Sequence, residues 1–502
     1  MDKNKSLTIE ENFNLAIKNH QENKTDIAQE LYNQVLKINP KHLATLNNLG
    51  TIFQGLGKNQ KAKSYFEKVI EINPNHINAY VNLGIIFHEL GNLQKAKDCY
   101  EKVIEINPNH INAYVNLGIV FHELGNLQKA KDCYEKVIKI NPNHMDAYNN
   151  LGIIFQELGE IQKAKDCYEK VIKINPNHMN AYNNLGIIFQ ELGNLQKAKD
   201  CYEKAIKINP NYSNAYNNLG TIFQELGENQ KAKDCYEKAI EINPNYVEAY
   251  WNMHTMTSNI DDALTVLNKI HKIDDKHIKA KIMISAIEGF KGNFDDFNNL
   301  LSSPDSNHPY IRSIKWVFSL PKLPKIFFNR YDFFDAIITS SEISRPFYEF
   351  GVWNGVAFRY LIKTFKKGFG FDTFSGLPVD WHDEKKGKYS AFGSIPKIEG
   401  GEFIVGKFED TLPDFFSKER PTASLINFDA DLYSSTLCAL NNSNKVIDEK
   451  TILIFDELLM NKNWEKDEYK ALNEFCDNLG YDYDVIAVSF STKQVAVKLK
   501  KN

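Results

Sequence analysis

The sequence predicts two architectures in one chain: an all-α superhelical solenoid of paired helices, followed by an α/β domain on a seven-stranded, mostly parallel sheet. Three observations predict it. Proline recurs at a spacing of 34 residues, at Pro40, Pro74, Pro108, Pro142, Pro176, Pro210 and Pro244. From Arg345 the Lys-rich periodic text gives way to short apolar runs separated by Gly, Pro and Asp. The chain has 502 residues, and single cores stop growing near ~250–300.

Between the prolines, "NHINAYVNLGIIFHELGNLQKAKDCYEKVIEINP" recurs almost unchanged. Tyr80, Leu83, Gly84 and Phe87 stand at i, i+3, i+4 and i+7, and Ala96, Tyr100 and Val103 resume helical spacing after Gly91. Each unit is therefore two amphipathic helices and a turn, closed by Asn-Pro. A fixed period of this length marks a solenoid. Seven units run from about residue 7 to 244, and an eroded eighth follows to about Asp275. Cys99, Cys133, Cys167, Cys201 and Cys235 keep the same spacing, so they belong to the repeated core, and free thiols are expected. The pattern resembles the tetratricopeptide repeat.

That resemblance implies a concave face lined by the first helix of each pair, with a protein or peptide as partner. One column there is Asn48, Asn82, Asn116, Asn150, Asn184, Asn218 and Asn252; a second is Gln54, His88, His122, Gln156, Gln190 and Gln224, beside Glu89, Glu123, Glu157, Glu191 and Glu225. Amides both donate and accept, so a ladder of them suits the backbone of an extended peptide. The Asn ladder resembles that in the repeat arm of protein O-GlcNAc transferases. The other reading is that these amides bond neighbouring helices to each other.

With 60 basic and 64 acidic side chains the net charge is −4, which offers no footprint for nucleic acid. No apolar run reaches a membrane span, and "MDKNKSLTIEENF" has no signal-peptide core, so a cytoplasmic protein is expected. The expected division is 1–276 for the repeats, 277–325 for a helical cap and linker, and 326–502 for the α/β domain.

In that last part, strands are read near 346–350, 368–372, 403–405, 424–428, 452–455, 485–489 and 494–499, with helices between several of them and a closing hairpin. The first strand ends in "EFGVWNG", where Gly351 and Gly355 let the backbone approach a ligand, and Asp372 ends the second, where a carboxylate can accept both hydroxyls of a ribose. "EFGVWNG", "FDTFSGLP", "GKFEDTLP", "FDADLYSST" and "LIFDE", in that order, resemble the class I S-adenosylmethionine-dependent methyltransferases, and within them the macrocin and novobiocin type O-methyltransferase family.

The resemblance implies a Rossmann-like domain with S-adenosylmethionine across the carboxyl ends of the strands. Glu349, Gly351 and Gly355 would lie at its methionine end, Asp372 at the ribose, and Phe408, Glu409 and Asp410 at the adenine. Glu409 and Asp410 also suit a helix N-terminus. Asp429, Asp456 and Glu457 would hold Mg²⁺, with Asp431 a supporting acid and Asp429 or His382 taking the acceptor's proton. The sequence departs from the family with Glu457 in place of Asp and Leu432 where some relatives carry a Lys or His base. A loop of roughly 25 residues containing Trp381, His382, Gly387, Tyr389 and Gly393 reads as a lid or a binding loop. The chain is then expected to be an O-methyltransferase for a sugar or glycan hydroxyl with a recruiting arm. The alternative is a scaffold whose second half is inactive or only binds cofactor.

Overall fold

The computed structural model describes residues 8–379, 382, 390, 391 and 393–501. The chain divides into two compact units, Met1–Ala181 and Tyr182–Asn502.

The first unit is built of helical pairs: Ile9–Gln21 with Thr25–Ile38, Leu43–Gly55 with Asn59–Ile72, Ile77–Glu89 with Leu93–Ile106, Ile111–Glu123 with Leu127–Ile140, and Met145–Glu157 with Ile161–Ile174. Polar side chains start the helices. His76 Nδ1 accepts from the Ala79 amide and Asn92 Oδ1 from the Lys95 amide, satisfying donors that have no partner inside the helix. Asn107 then leaves the helical region, and Pro108 cannot continue it.

The two helices of a pair meet where glycine faces an aromatic ring. A Cβ on Gly84 would lie 2.6 Å from Tyr100 Cε1, and one on Gly118 2.7 Å from Tyr134 Cε1. Both rings are buried, so neither can swing away. Gly118→Ala should therefore destabilise the first unit by about 1–3 kcal/mol, through overpacking. Far-UV circular dichroism during urea unfolding would show this as a lower midpoint.

In the second unit the repeats continue through Leu195–Ile208, Ser213–Glu225, Asn229–Ile242, Val247–His254 and Ile260–Ile273. The eroded eighth repeat has an 8-residue first helix where the others have 13. Ile278–Phe290, Asp295–Leu301 and Pro309–Phe318 follow. Ile282, Ile311 and Ile314, from the segment read as cap and linker, share one apolar core with Phe350, Phe371, Phe428 and Phe455 of the sheet.

The sheet comprises β1 (Lys325–Phe327), β2 (Phe347–Phe350), β3 (Gly368–Asp372), β4 (Gly401–Val405), β5 (Leu425–Phe428), β6 (Ile452–Phe455), β7 (Tyr481–Ser489) and β8 (Gln494–Lys501). Its order is β1-β7-β8-β6-β5-β2-β3-β4. Eight strands stand where seven were expected. The extra one, β1, is a 3-residue edge strand beside β7. β8 is antiparallel to both β6 and β7, which makes the sheet mixed. β2, β5 and β6 are buried at every position, as parallel strands covered on both faces must be. From β2 the chain winds outward to β3 and β4, then returns to place β5 on β2's other side. Such a switch point opens a crevice at the carboxyl ends of the strands. Among the described residues no helix is long and apolar enough to cross a membrane.

Candidate functional site

A crevice of about 640 Å³ lies at this switch point. Gly351 and Trp353 line it after β2, Asp372 at the end of β3 with Thr373 following, Asp429 and Asp431 after β5, and Asp456 and Glu457 after β6. Phe408, Glu409 and Arg330 also line it, with Leu377, Pro378 and Val379. A hollow of about 690 Å³ along Thr25–Ile38 is a different matter: exposed side chains of one helix, such as Glu30 and Lys37, line it, and no second element converges there.

Gly351 is fixed by contact as well as by conformation. At φ +90° it takes a backbone that L side chains rarely adopt, and a Cβ would sit 1.8 Å from the Asp429 carbonyl oxygen. Asp372 joins the two loops beside it: Oδ2 accepts from the Trp353 amide at 2.7 Å and Oδ1 from the Phe374 amide at 2.6 Å. The amides of Val352 and Thr373 also act on this carboxylate. Burial raises its proton affinity while the backbone amides oppose the rise. Trp353, Phe374 and Asp431 all have positive φ, and strain of this kind collects where a site must be held in one shape.

The acids have protein cations beside them. Arg330 Nη2 lies 2.8 Å from Asp456 Oδ2, and Gln494 donates to Asp456 Oδ1. Lys493 Nζ lies 3.3 Å from both Glu457 oxygens, and Asn461 also donates to Glu457. Asp456 and Glu457 were expected to share a divalent ion with Asp429. Here both have their oxygens engaged by side-chain donors, and among the described residues no group of three His, Cys, Asp or Glu is arranged to hold a metal. The residues therefore do not fit Mg²⁺. Asp431 lines the crevice as Asp429 does, although sequence reasoning gave it only a supporting role.

Burial, then neighbouring acids, push the carboxyls of Asp429 and Asp431 well above the usual range. Glu349 and Glu468 are raised in the same way, burial again being the main cause. A raised carboxyl binds its proton more readily in the folded state than in the unfolded one. Stability from these groups is fully present below their unfolded values, near ~4, and is lost as pH rises through the folded ones. The second unit should accordingly resist urea better at pH 5.5 than at pH 8, read by tryptophan fluorescence.

The other expected site residues are placed less directly. Glu349 is 1 % exposed beneath the crevice, and its Oε2 has no hydrogen-bond partner, like both side-chain polar atoms of its strand neighbour Asn427. Gly355 caps the helix Val356–Phe365 and packs on Pro396 and Ile398, away from the lining. Phe408 stands edge-on to Phe350 at 5.7 Å. Glu409 lines the crevice, whereas Asp410 shares the first turn of Phe408–Ser417 without lining it. His382 pairs with Asp467, its Nε2 2.8 Å from Oδ2, and is not among the lining residues. Trp381, Gly387 and Tyr389 lie outside the described residues.

On the repeats, all seven Asn of the column are half-buried. In the first unit Asn48 donates to the Tyr32 hydroxyl at 3.0 Å, and Asn116 and Asn150 bond Tyr100 and Tyr134. In the second unit Asn218 donates to Asn183 and Asn252 to Asn217, each at 3.0 Å. At these five positions the amide ties the first helix to the preceding repeat.

A family model for the tetratricopeptide repeat matches residues 41–109, 75–143, 109–177, 143–211 and 177–245. Residues 41–245 are a tetratricopeptide-repeat array. No curated protein matches the chain. Among solved structures, a tetratricopeptide repeat protein from Parabacteroides merdae is 21% identical with a TM-score of 0.42, covering 49% of this chain and 97% of its own. YrrB, described as a tetratricopeptide protein with an unusual peptide-binding site, is 21% identical with a TM-score of 0.33, covering 37% and 95%. MamA is 27% identical with a TM-score of 0.30, covering 32% and 95%. Within the tetratricopeptide array the second column is tied as the first is: His88 to Glu123 at 2.9 Å, His122 to Glu157 at 2.7 Å, and Gln190 to Glu225 at 2.7 Å. The crevice residues fall outside the matched tetratricopeptide segment.

Proposed function

We propose that this chain is a protein-interaction scaffold whose tetratricopeptide array takes a protein or peptide, joined to an α/β region that binds S-adenosylmethionine. The repeat match carries the first part. The second rests on one observation: Gly351 against the Asp429 backbone and Asp372 at the next strand end face one crevice at the switch point. The orphaned polar atoms of Glu349 and Asn427 below it fit a site whose polar occupant lies above.

The same crevice favours a further reading, an O-methyltransferase of the Rossmann-like kind. Bound S-adenosylmethionine would supply an electrophilic methyl on a sulfonium. Asp372 would accept the ribose hydroxyls, Phe408 and Glu409 would stand at the adenine end, and Gly351 would leave room for the methionine portion. Asp429, with its raised proton affinity, is the group suited to take a proton from an acceptor hydroxyl, such as that of a sugar or glycan. No step runs through Mg²⁺, since Arg330 and Lys493 already answer Asp456 and Glu457.

Incubation of the full chain with methyl-labelled S-adenosylmethionine, EDTA and a panel of hydroxyl-bearing acceptors separates the readings. Label on an acceptor supports the enzyme. Bound cofactor without transfer leaves the scaffold with a cofactor-binding module. No bound cofactor on folded protein leaves the scaffold alone.

A further inference from the structure

Two parts of the last repeats touch the elements that hold the crevice cations. The first is the turn at Gly227. A Cβ there would lie 2.6 Å from the Tyr331 hydroxyl, whereas at the corresponding Gly57, Gly91, Gly125 and Gly159 nothing comes within 4 Å. Tyr331 follows Arg330 at the start of the helix Arg330–Thr339, and Arg330 is the residue paired with Asp456.

The second is His254, the fully buried end of the shortened helix Val247–His254. Its Nδ1 faces the Trp251 carbonyl, which only accepts, so Nδ1 carries the proton. Nε2 is left to accept from the Ser491 hydroxyl at 3.2 Å. Burial lowers the ring's proton affinity, to a pKa of about 4, in keeping with that neutral form. Ser491 sits in the short turn between β7 and β8. Two residues on, Lys493 reaches Glu457, and next to it Gln494 donates to Asp456. Thr492 braces the turn, 2.6 Å from Ser489 Oγ and 2.9 Å from Gln494 Oε1. Phe490 packs against Phe290 of the following helix, with ring centres 6.0 Å apart.

Arg330 is thus one residue, Lys493 two and Gln494 three from a contact with the terminal repeats. We propose that His254 and Tyr331 are positioning residues: through Ser491 and Arg330 the last two repeats set the crevice acids, and occupancy of the crevice is coupled to order in those repeats. This rests on the cofactor-binding reading of the crevice. Coupling between two sites is reciprocal, so a ligand at one must be felt at the other.

Hydrogen–deuterium exchange of the full chain, with and without S-adenosylmethionine, tests it. The expected result is protection at 351–354 and 372–374, with added protection at 226–228 and 254–257 and none in the first three repeats. Ser491→Ala removes one hydroxyl from a partly exposed turn. It should leave the urea midpoint nearly unchanged, abolish the protection at 254–257 and weaken cofactor binding several-fold. His254→Asn provides the second variant, with the same expected pattern. Protection confined to the crevice in the natural protein overturns the coupling and leaves the cofactor reading standing. A lower urea midpoint with unchanged affinity in both variants means a structural role only, and overturns it as well. Absence of protection anywhere removes the cofactor reading and the coupling together.

Discussion

Gly351→Ala is expected to abolish cofactor binding and to destabilise the second unit by about 3 kcal/mol or more, at or beyond the upper end for an overpacked core. The added methyl meets backbone: the Asp429 carbonyl oxygen lies 1.8 Å from where Cβ would be, and no rotamer relieves that contact. The φ of +90° adds strain that alanine cannot relax in place. β2 and β5 are hydrogen-bonded through Phe350 and Phe428, so separating Gly351 from Asp429 disturbs the ladder beneath the crevice. Urea unfolding followed by tryptophan fluorescence isolates the effect. All 5 tryptophans, Trp251, Trp316, Trp353, Trp381 and Trp464, belong to the second unit. The first unit should unfold unchanged by circular dichroism.

Arg330→Met should destabilise the same unit by about 3–5 kcal/mol at pH 8, the range for removing one partner of a buried ion pair. Asp456 is 8% exposed at its side chain and Arg330 32%, so water gives limited relief. Asp429 also lies in the field of Arg330 and would gain proton affinity with its loss. The destabilisation should therefore shrink toward pH 5, where both carboxyls take up protons. Arg330→Met combined with Asp456→Leu should recover part of the loss, because removing both charges leaves neither uncompensated. A double variant no more stable than Arg330→Met alone would mean that the pair is not the main source of the effect.

These residues show where the sequence is informative. The 34-residue period, the Gly84 and Tyr100 positions and the Asn-Pro stops are local and repeated, so the helical pairs are legible directly. The strands from "PFYEF" to "QVAVKL" are legible as apolar runs between turn residues. β1 is not, because "KIF" is 3 residues beside prolines and becomes a strand only by pairing with β7. Asp429, Asp431, Asp456 and Glu457 are legible as acids at strand ends. Their counter-charges are not: Arg330 lies 126 positions from Asp456 and Lys493 36 from Glu457, with no spacing rule to connect them. A reading from acids alone therefore calls for a metal. The Asn column is legible as a column, but whether its amides face a ligand or the preceding repeat depends on tertiary packing.

S-adenosylmethionine is proposed to sit in the switch-point crevice against Asp372. Calorimetric titration of the full chain, natural and Asp372→Ala, in EDTA, tests it most directly. The expected result is one site on the natural chain and a loss of at least about tenfold in affinity for the variant, with both proteins folded by circular dichroism. No heat of binding from the folded natural chain, or equal affinity in the two, would contradict it.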